Sequence, residues 1–193
     1  MKNEAGSGKS FYVKFLVLVP HRDARALIRK HCELLIKEGV TGVYLFPWVA
    51  PIAELSEEFS SDELKYAAHS LRDFTGTEKF PINETASAAF PSGEEKMILF
   101  GQRFDLKIPD SIFGEGNKKI KKLFAPLVIG SLLMPKANEQ RLCAANQRIE
   151  APLREKISFR SAALANMYWK PIKSENEYVY RWKIGKLSWL PNR

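Results

Sequence analysis

The chain has 193 residues, 45% of them apolar and 27% charged, and a formal charge of +8. That length sustains one sizeable core or two small lobes sharing a groove, and the composition excludes low-complexity and fibrous proteins. No apolar run approaches the ~20 residues of a membrane helix and no signal-peptide pattern opens the chain. Cys32 and Cys143 are too few for a disulfide framework and lack metal-ligand spacing. The expectations are therefore a reducing cytoplasmic compartment, no membrane, no metal and no cofactor.

Met1 to Ser10 is polar and glycine-rich and reads as a disordered leader, with residues 11–193 as a single domain. Phe11 to Val19 alternates, with Phe11, Val13, Phe15, Val17 and Val19 on one face and Tyr12, Lys14, Leu16 and Leu18 on the other. This predicts a central strand, ended by Pro20. Asp23 to Lys37 predicts a helix whose apolar stripe is Leu27, Ile28, His31, Leu34 and Leu35, stopped by Gly39. A strand over Val43 to Ala50 and a turn-rich stretch to Phe59 follow. Ser60 and Glu63 form a capping box, starting a helix that buries Leu64, Ala67, Ala68, Leu71 and Phe74.

Residues 76–97 read as loop, with short extended pieces at 80–82 and 90–91, before a strand from Lys96 to Phe104. Pro109 to Asn117 is a polar connection, and Lys118 to Leu123 leads into a strand ending near Met134. Asn138 to Arg148 predicts a helix. Ile157 to Leu164, Tyr178 to Ile184 and Lys186 to Leu190 predict strands, with a bulge at Gly185. The order fits an α+β protein with two pseudo-symmetric lobes better than a doubly wound parallel sheet.

Charge divides unevenly along this order. Residues 1–97 carry 12 Lys and Arg against 14 Asp and Glu, while residues 98–193 carry 18 against 8. The second half holds Lys118, Lys119, Lys121, Lys122, Arg154, Lys156 and Arg160, interleaved further on with Tyr168, Trp169, Tyr178, Tyr180 and Trp182. Such a field attracts polyanions, and such aromatics can stack on bases. The alternative is a solvated lysine-rich surface over buried strand aromatics.

Two similar segments lie one in each half, Phe46-Pro47-Trp48-Val49-Ala50 and Phe124-Ala125-Pro126-Leu127-Val128-Ile129. With the opening strand ending in Pro20, the helix after it, the Phe-Pro pairs at 80–81 and 90–91 and the closing Trp189-Leu190-Pro191, they resemble the two signature strands of the 2H phosphoesterase superfamily. That superfamily includes the 2′-5′ RNA ligase-like proteins and cyclic nucleotide phosphodiesterases. The resemblance implies a bilobal, pseudo-two-fold α+β fold, with antiparallel sheets around a central groove and helices outside. It also implies a groove floor made by the signature strands, each reading Pro-His-x-Thr or Pro-His-x-Ser. Here Trp48 and Leu127 stand at the histidine positions, and Ala50 and Ile129 at the hydroxyl positions. None of the four can transfer a proton.

The histidines present are His21 at a helix entrance, His31 on the first helix's apolar stripe and His69 in the second helix, with no spacing that supplies a catalytic partner. Gly6-Ser7-Gly8-Lys9-Ser10 ends like a phosphate-binding loop, but Asn3 stands at the first glycine position and a strand follows it. His21-Arg22-Asp23 matches three letters of a kinase catalytic loop and lacks the rest. The leading expectation is a 2H-phosphoesterase-like protein without catalysis, binding RNA or a nucleotide-like ligand through the basic half. Two alternatives stay open: a divergent phosphoesterase or RNA ligase using groove residues such as Tyr12, Lys14, Arg103 or Tyr168, and a protein-interaction scaffold with a filled groove. Oligomeric state is not legible.

Overall fold

The computed structural model describes residues 11–39, 44–45, 48–56, 58–75, 80–89, 97–104, 106, 108, 119–124, 127–149, 156–171 and 178–189. Strand β1 (Phe11–Pro20) is apolar on both faces in its second half, and Phe15 to Pro20 are all buried. Helix α1 (Arg22–Lys37) follows at once. It buries Ala24, Ile28, His31, Cys32 and Leu35, the spacing of one helical face, and ends where Gly39 takes φ 82°. Asp23 in its first turn and Lys37 in its last complement the helix dipole.

Next come β2 (Tyr44–Leu45) and β3 (Ala50–Leu55), then α2 (Ser61–Thr75), β4 (Phe80–Ala89), β5 (Met97–Phe104) and β6 (Ile120–Leu123). The chain continues through β7 (Val128–Pro135), a 3-10 turn at Lys136–Asn138, α3 (Glu139–Arg148), β8 (Lys156–Ile157), β9 (Phe159–Pro171) and β10 (Tyr178–Trp189). Among the described residues every pairing is antiparallel. One five-stranded sheet runs β10-β9-β1-β3-β6 and the other β2-β7-β5-β4-β8, so the architecture is α+β as expected.

The two sheets repeat one ladder. In the first, β1 pairs with β3 through Lys14–Leu55, Leu16–Ala53 and Leu18–Ala50, with Ile52 as an extra residue at a register shift. In the second, β5 pairs with β7 through Ile98–Met134, Phe100–Leu132 and Gln102–Ile129, with Ser131 as the extra residue at the corresponding shift. A one-residue bulge bends its strand and increases the local twist, so the two ladders turn at the same point. On the other flank, β9 lies against β1 as β4 lies against β5. The pairs Lys14–Asn166, Leu18–Ala162 and Pro20–Phe159 correspond to Ile98–Ala89, Gln102–Thr85 and Phe104–Ile82.

Several expectations need correction. The strand expected over Val43 to Ala50 is two strands in different sheets: β2 lies in the second and β3 in the first. The stretch after Ala50, expected as turns, is β3, an edge-to-edge buried run whose Pro51 sits where the register shifts. The lead-in expected over Lys118 to Leu123 holds a strand of its own, β6 of the first sheet, and the strand expected to end near Met134 is β7 of the second, starting at Val128. Residues 80–89, expected as loop with a short extended piece at 80–82, form a full strand against β5, and β9 runs on to Pro171 rather than stopping at Leu164. The Gly185 bulge agrees with the register shift between Ile184 and Leu187 inside one continuous β10. The expected leader at 1–10, the 90–91 Phe-Pro pair and the 109–117 connection lie outside the described residues.

Most buried apolar side chains form one cluster in which the two sheets, α1 and α2 meet. Phe15 meets Phe124 edge-on with ring centroids 5.8 Å apart, and Phe104 of the second sheet meets Phe159 of the first at 5.0 Å. A smaller cluster, of Cys32, Leu35, Ile98, Phe100, Leu142 and Ala145, joins α1 and α3 to the end of β5. No helix among the described residues is long and apolar enough to cross a membrane.

Candidate functional site

The segments holding the two signature motifs are the two points where the chain passes between sheets. Between β2 and β3 it passes from the second sheet to the first, and between β6 and β7 it passes back. The crossings are tied in by backbone hydrogen bonds: Phe124 N–H donates to the Ile52 carbonyl at 2.9 Å, and Phe104 N–H donates to the Leu127 carbonyl at 3.2 Å. Of the residues at histidine and hydroxyl positions, Ala50 and Ile129 are 0% exposed, Leu127 is 7% exposed, and Trp48 is half-buried. Trp48 packs against both apolar clusters, and the other three belong to the larger one. This region is core, and it contains no group that titrates near neutrality at those four positions.

The four other candidates fall into two places. Tyr12 and Lys14 on β1 stand directly opposite Tyr168 and Asn166 on β9, so strand alternation puts all four on one face. The Tyr12 hydroxyl donates to Asn166 Oδ1 at 2.6 Å, a diagonal bond that this shared face requires. Tyr12 is 45% and Tyr168 40% exposed, unusually open for aromatics on interior strands of a five-stranded sheet. Lys14 and Asn166, at the next register position, are half-buried. The ladder continues outward, with Arg181 and Lys183 of β10 at the register positions opposite Tyr168 and Asn166. Arg103 does not join this group. It sits on β5 opposite Val128, beside the second motif.

Asn166 was not anticipated, because the strand was expected to stop at Leu164. The signal was present: the alternation that includes Leu164 carries on through Asn166 and Tyr168. Glu54, a buried carboxylate opposite Lys122 in the β3–β6 ladder, was also missed, since the turn expected there would have left it in solvent.

The histidines lie apart from these residues. His21 and His69 are exposed. His31 is buried, with Nε2 2.9 Å from Asn146 Oδ1 of α3; burial pushes its pKa down and the Asn146 hydrogen bond opposes that shift. Among the described residues no group of three or more His, Cys, Asp or Glu could hold a metal ion. Burial, with a smaller contribution from Glu33, raises the Cys32 thiol to about 11, which keeps it unreactive at neutral pH.

The basic half is partly occupied within the fold. Lys119 pairs with Glu63 of α2 at 2.9 Å, and Arg148 of α3 pairs with Glu38 at the end of α1 at 3.0 Å. Each joins an acid of the first half to a base of the second, so some of the charge asymmetry read from the sequence closes on itself. Lys121 is exposed, while Lys118 and Arg154 lie outside the described residues. Compared with family models and with curated proteins, the chain matches none.

Proposed function

We propose that this chain is a 2H-phosphoesterase-like protein that has lost the superfamily's acid–base pair and binds single-stranded RNA or a nucleotide-like ligand on the Tyr12–Tyr168 face of its first sheet. One observation carries the reading: two exposed tyrosines stand directly opposite each other on neighbouring strands, with Lys14 and Asn166 at the next register position. Aromatics presented side by side on a sheet offer stacking platforms to successive bases, and an adjacent ammonium suits the backbone phosphate. What supports the family resemblance is the repeated ladder, with each motif lying where the chain crosses between sheets and each followed by a bulge at the same offset. What supports the loss of catalysis is the apolar, buried character of Ala50, Leu127 and Ile129.

Titration of labelled single-stranded RNA at two salt concentrations tests the reading. Binding should weaken steeply with salt, as phosphate contacts release counterions. Tyr12→Ala and Tyr168→Ala should each lose about 1–3 kcal/mol per stacked base. No detectable affinity at low salt, or affinity unchanged in the double tyrosine variant, leaves the protein-interaction scaffold as the better account. The purified protein should show no metal-independent hydrolysis of 2′,3′-cyclic phosphates or 2′-5′ linkages, because each missing proton transfer is worth about 10²–10⁴-fold. Turnover that survives repurification and disappears on mutation of Lys14, Arg103 or Tyr168 would favour the divergent enzyme instead.

A further inference from the structure

Where the end of α1 meets α3, the fold leaves a cavity of about 250 Å³. Asn138, Arg141 and Arg148 of α3 line one side of it and Glu38, at the end of α1, lines the other. Between these polar groups the lining is Ala144, Ala145 and Gly39, and a Cβ added at Gly39 would meet nothing within 4 Å. Small residues at these positions leave the space that larger ones would fill. Since about 150 Å³ accommodates benzene, this volume suits a molecule of roughly ten non-hydrogen atoms.

The charged groups stand at opposite ends of the cavity. Arg141 lies in the first turn of α3 and Arg148 in the last, two helical turns or about 10 Å along the axis. Arg148 Nε donates to Glu38 Oε2 at 3.0 Å, which fixes the carboxylate at the Arg148 end. A carboxylate accepts from about four directions, so Glu38 retains room for a second donor. At the other end Arg141 is exposed and has no ion-pair partner among the described residues, and Asn138, the N-cap residue, makes no side-chain capping bond. Both end charges also oppose their own helices: Glu38 follows the negative end of α1, and Arg141 sits at the positive end of α3. Arg148 offsets the first of these, and nothing described offsets the second. A molecule with a carboxylate at one end and an ammonium at the other would complement both charges and both dipoles.

We propose that this cavity binds a small extended zwitterion, an ω-amino acid or a dipeptide, with its carboxylate on Arg141 and Asn138 and its ammonium on Glu38. The site belongs to the helices that cover the second sheet and does not depend on the RNA reading of the tyrosine face.

Thermal unfolding of the full chain in 6-aminohexanoate, hexanoate and hexylammonium, at equal pH and ionic strength, tests the site. The aminohexanoate should raise the midpoint in a saturable way, since it binds the folded state, and the two single-ended compounds should raise it less or not at all. Arg141→Gln and Glu38→Gln should each weaken its apparent affinity about tenfold, as expected on losing a charged hydrogen-bond partner. Both changes fall at exposed positions that folding does not need. Ala144→Leu, at an exposed helical position that accepts leucine nearly as well as alanine, should abolish the response by filling the cavity. Alanylalanine separates the two sources of the ligand: a larger shift than with the aminohexanoate identifies a dipeptide, and a smaller one an ω-amino acid. Equal shifts with aminohexanoate and hexanoate overturn the proposal. So does the lack of any shift, or a response undiminished in Arg141→Gln or in Ala144→Leu.

Discussion

The two sheets share one ladder and differ at its open end. In the first sheet the Lys14–Asn166 pair is half-buried and lies next to the exposed Tyr12–Tyr168 pair. In the second, the corresponding pair is Ile98–Ala89, and Ile98 is only 4% exposed because α1 and α3 cover it with Cys32, Leu35, Leu142 and Ala145. Two equivalent positions have thus been used in opposite ways, one closed by helices as structure and one left polar and aromatic.

Exchanging residues between the halves gives the largest expected effect. Ile98→Lys places an ammonium inside the α1–α3–β5 cluster with no carboxylate among that cluster's residues to pair with it. It should cost about 4 kcal/mol or more in urea unfolding, at the extreme of single substitutions. Lys14→Ile, the converse change, should alter stability by no more than about 1 kcal/mol while weakening RNA binding. If both variants lose similar stability, the halves are packed alike and the contrast drawn above is wrong.

A smaller asymmetry lies on the strands beside the motifs. Gly101 of β5 stands opposite Gly130, as Val17 of β1 stands opposite Pro51. A Cβ at Gly101 would overlap the Ile129 carbonyl oxygen and the Val128 side chain, whereas Val17 fits its full side chain into the core. The backbone of β7 therefore occupies the space that a side chain at position 101 of β5 would need, whereas the equivalent position of β1 holds valine. Gly101→Ala should destabilise by about 3 kcal/mol, since backbone cannot move aside as a flexible side chain can. A loss under about 1 kcal/mol would show that the bulge relaxes and that the close approach is not a constraint.

These contrasts mark where sequence patterning was informative. Alternation found β1, and helical spacing with Gly39 and the Ser60–Glu63 box found α1 and α2, because those signals are local and period-specific. The motif pair at Trp48 and Leu127 was visible as a repeat. That each motif segment carries the chain from one sheet to the other was not, since a crossing between sheets leaves no periodicity and reads as an uninterrupted apolar run. Only the 80–82 piece of β4 was read as extended, because Asn83, Glu84 and Ser87 look like loop and pairing with β5 makes them strand. Of the candidate residues, Tyr12, Lys14 and Tyr168 do share a face, while Arg103 belongs to the other sheet because strand order, unlike strand identity, is not written locally.

The helical cover of the second sheet is also the part that should respond to mild acid. The His31 Nε2 contact with Asn146 ties α1 to α3, and burial holds the folded pKa of His31 below its ordinary 6.5. Above 6.5 the ring is neutral in folded and unfolded chains alike. As pH falls through that value, the unfolded chain takes up a proton that the folded one resists, so stability declines until the folded pKa is reached. The slope from this residue is at most about 1.4 kcal/mol per pH unit. His31→Gln should flatten that part of the stability profile; an unchanged slope between pH 6.5 and 5 would remove His31 as its origin.

The helices that follow the two motif strands provide the finest comparison. Helix α2 after β3 opens on a reciprocal box, in which Glu63 N–H donates to Ser60 Oγ at 3.2 Å and Ser60 N–H donates to Glu63 Oε2 at 2.7 Å. Helix α3 after β7 opens on Asn138 with no side-chain capping bond, running instead out of a 3-10 turn. Ser60→Ala should therefore cost about 1 kcal/mol, and Asn138→Ala only a few tenths. The box carries its own pH signature. The Ser60 backbone N–H, then Lys119 and the Ser60 hydroxyl, hold Glu63 well below its ordinary 4.5, at about 2. Its contribution is complete above 4.5 and is lost as pH falls toward 2, because the unfolded carboxylate takes up its proton first. Asn138→Ala should leave the acid limb of the stability profile untouched and Ser60→Ala should shallow it. Equal costs at the two positions would mean that capping does not distinguish α2 from α3, and that packing against β9 alone fixes where α2 begins.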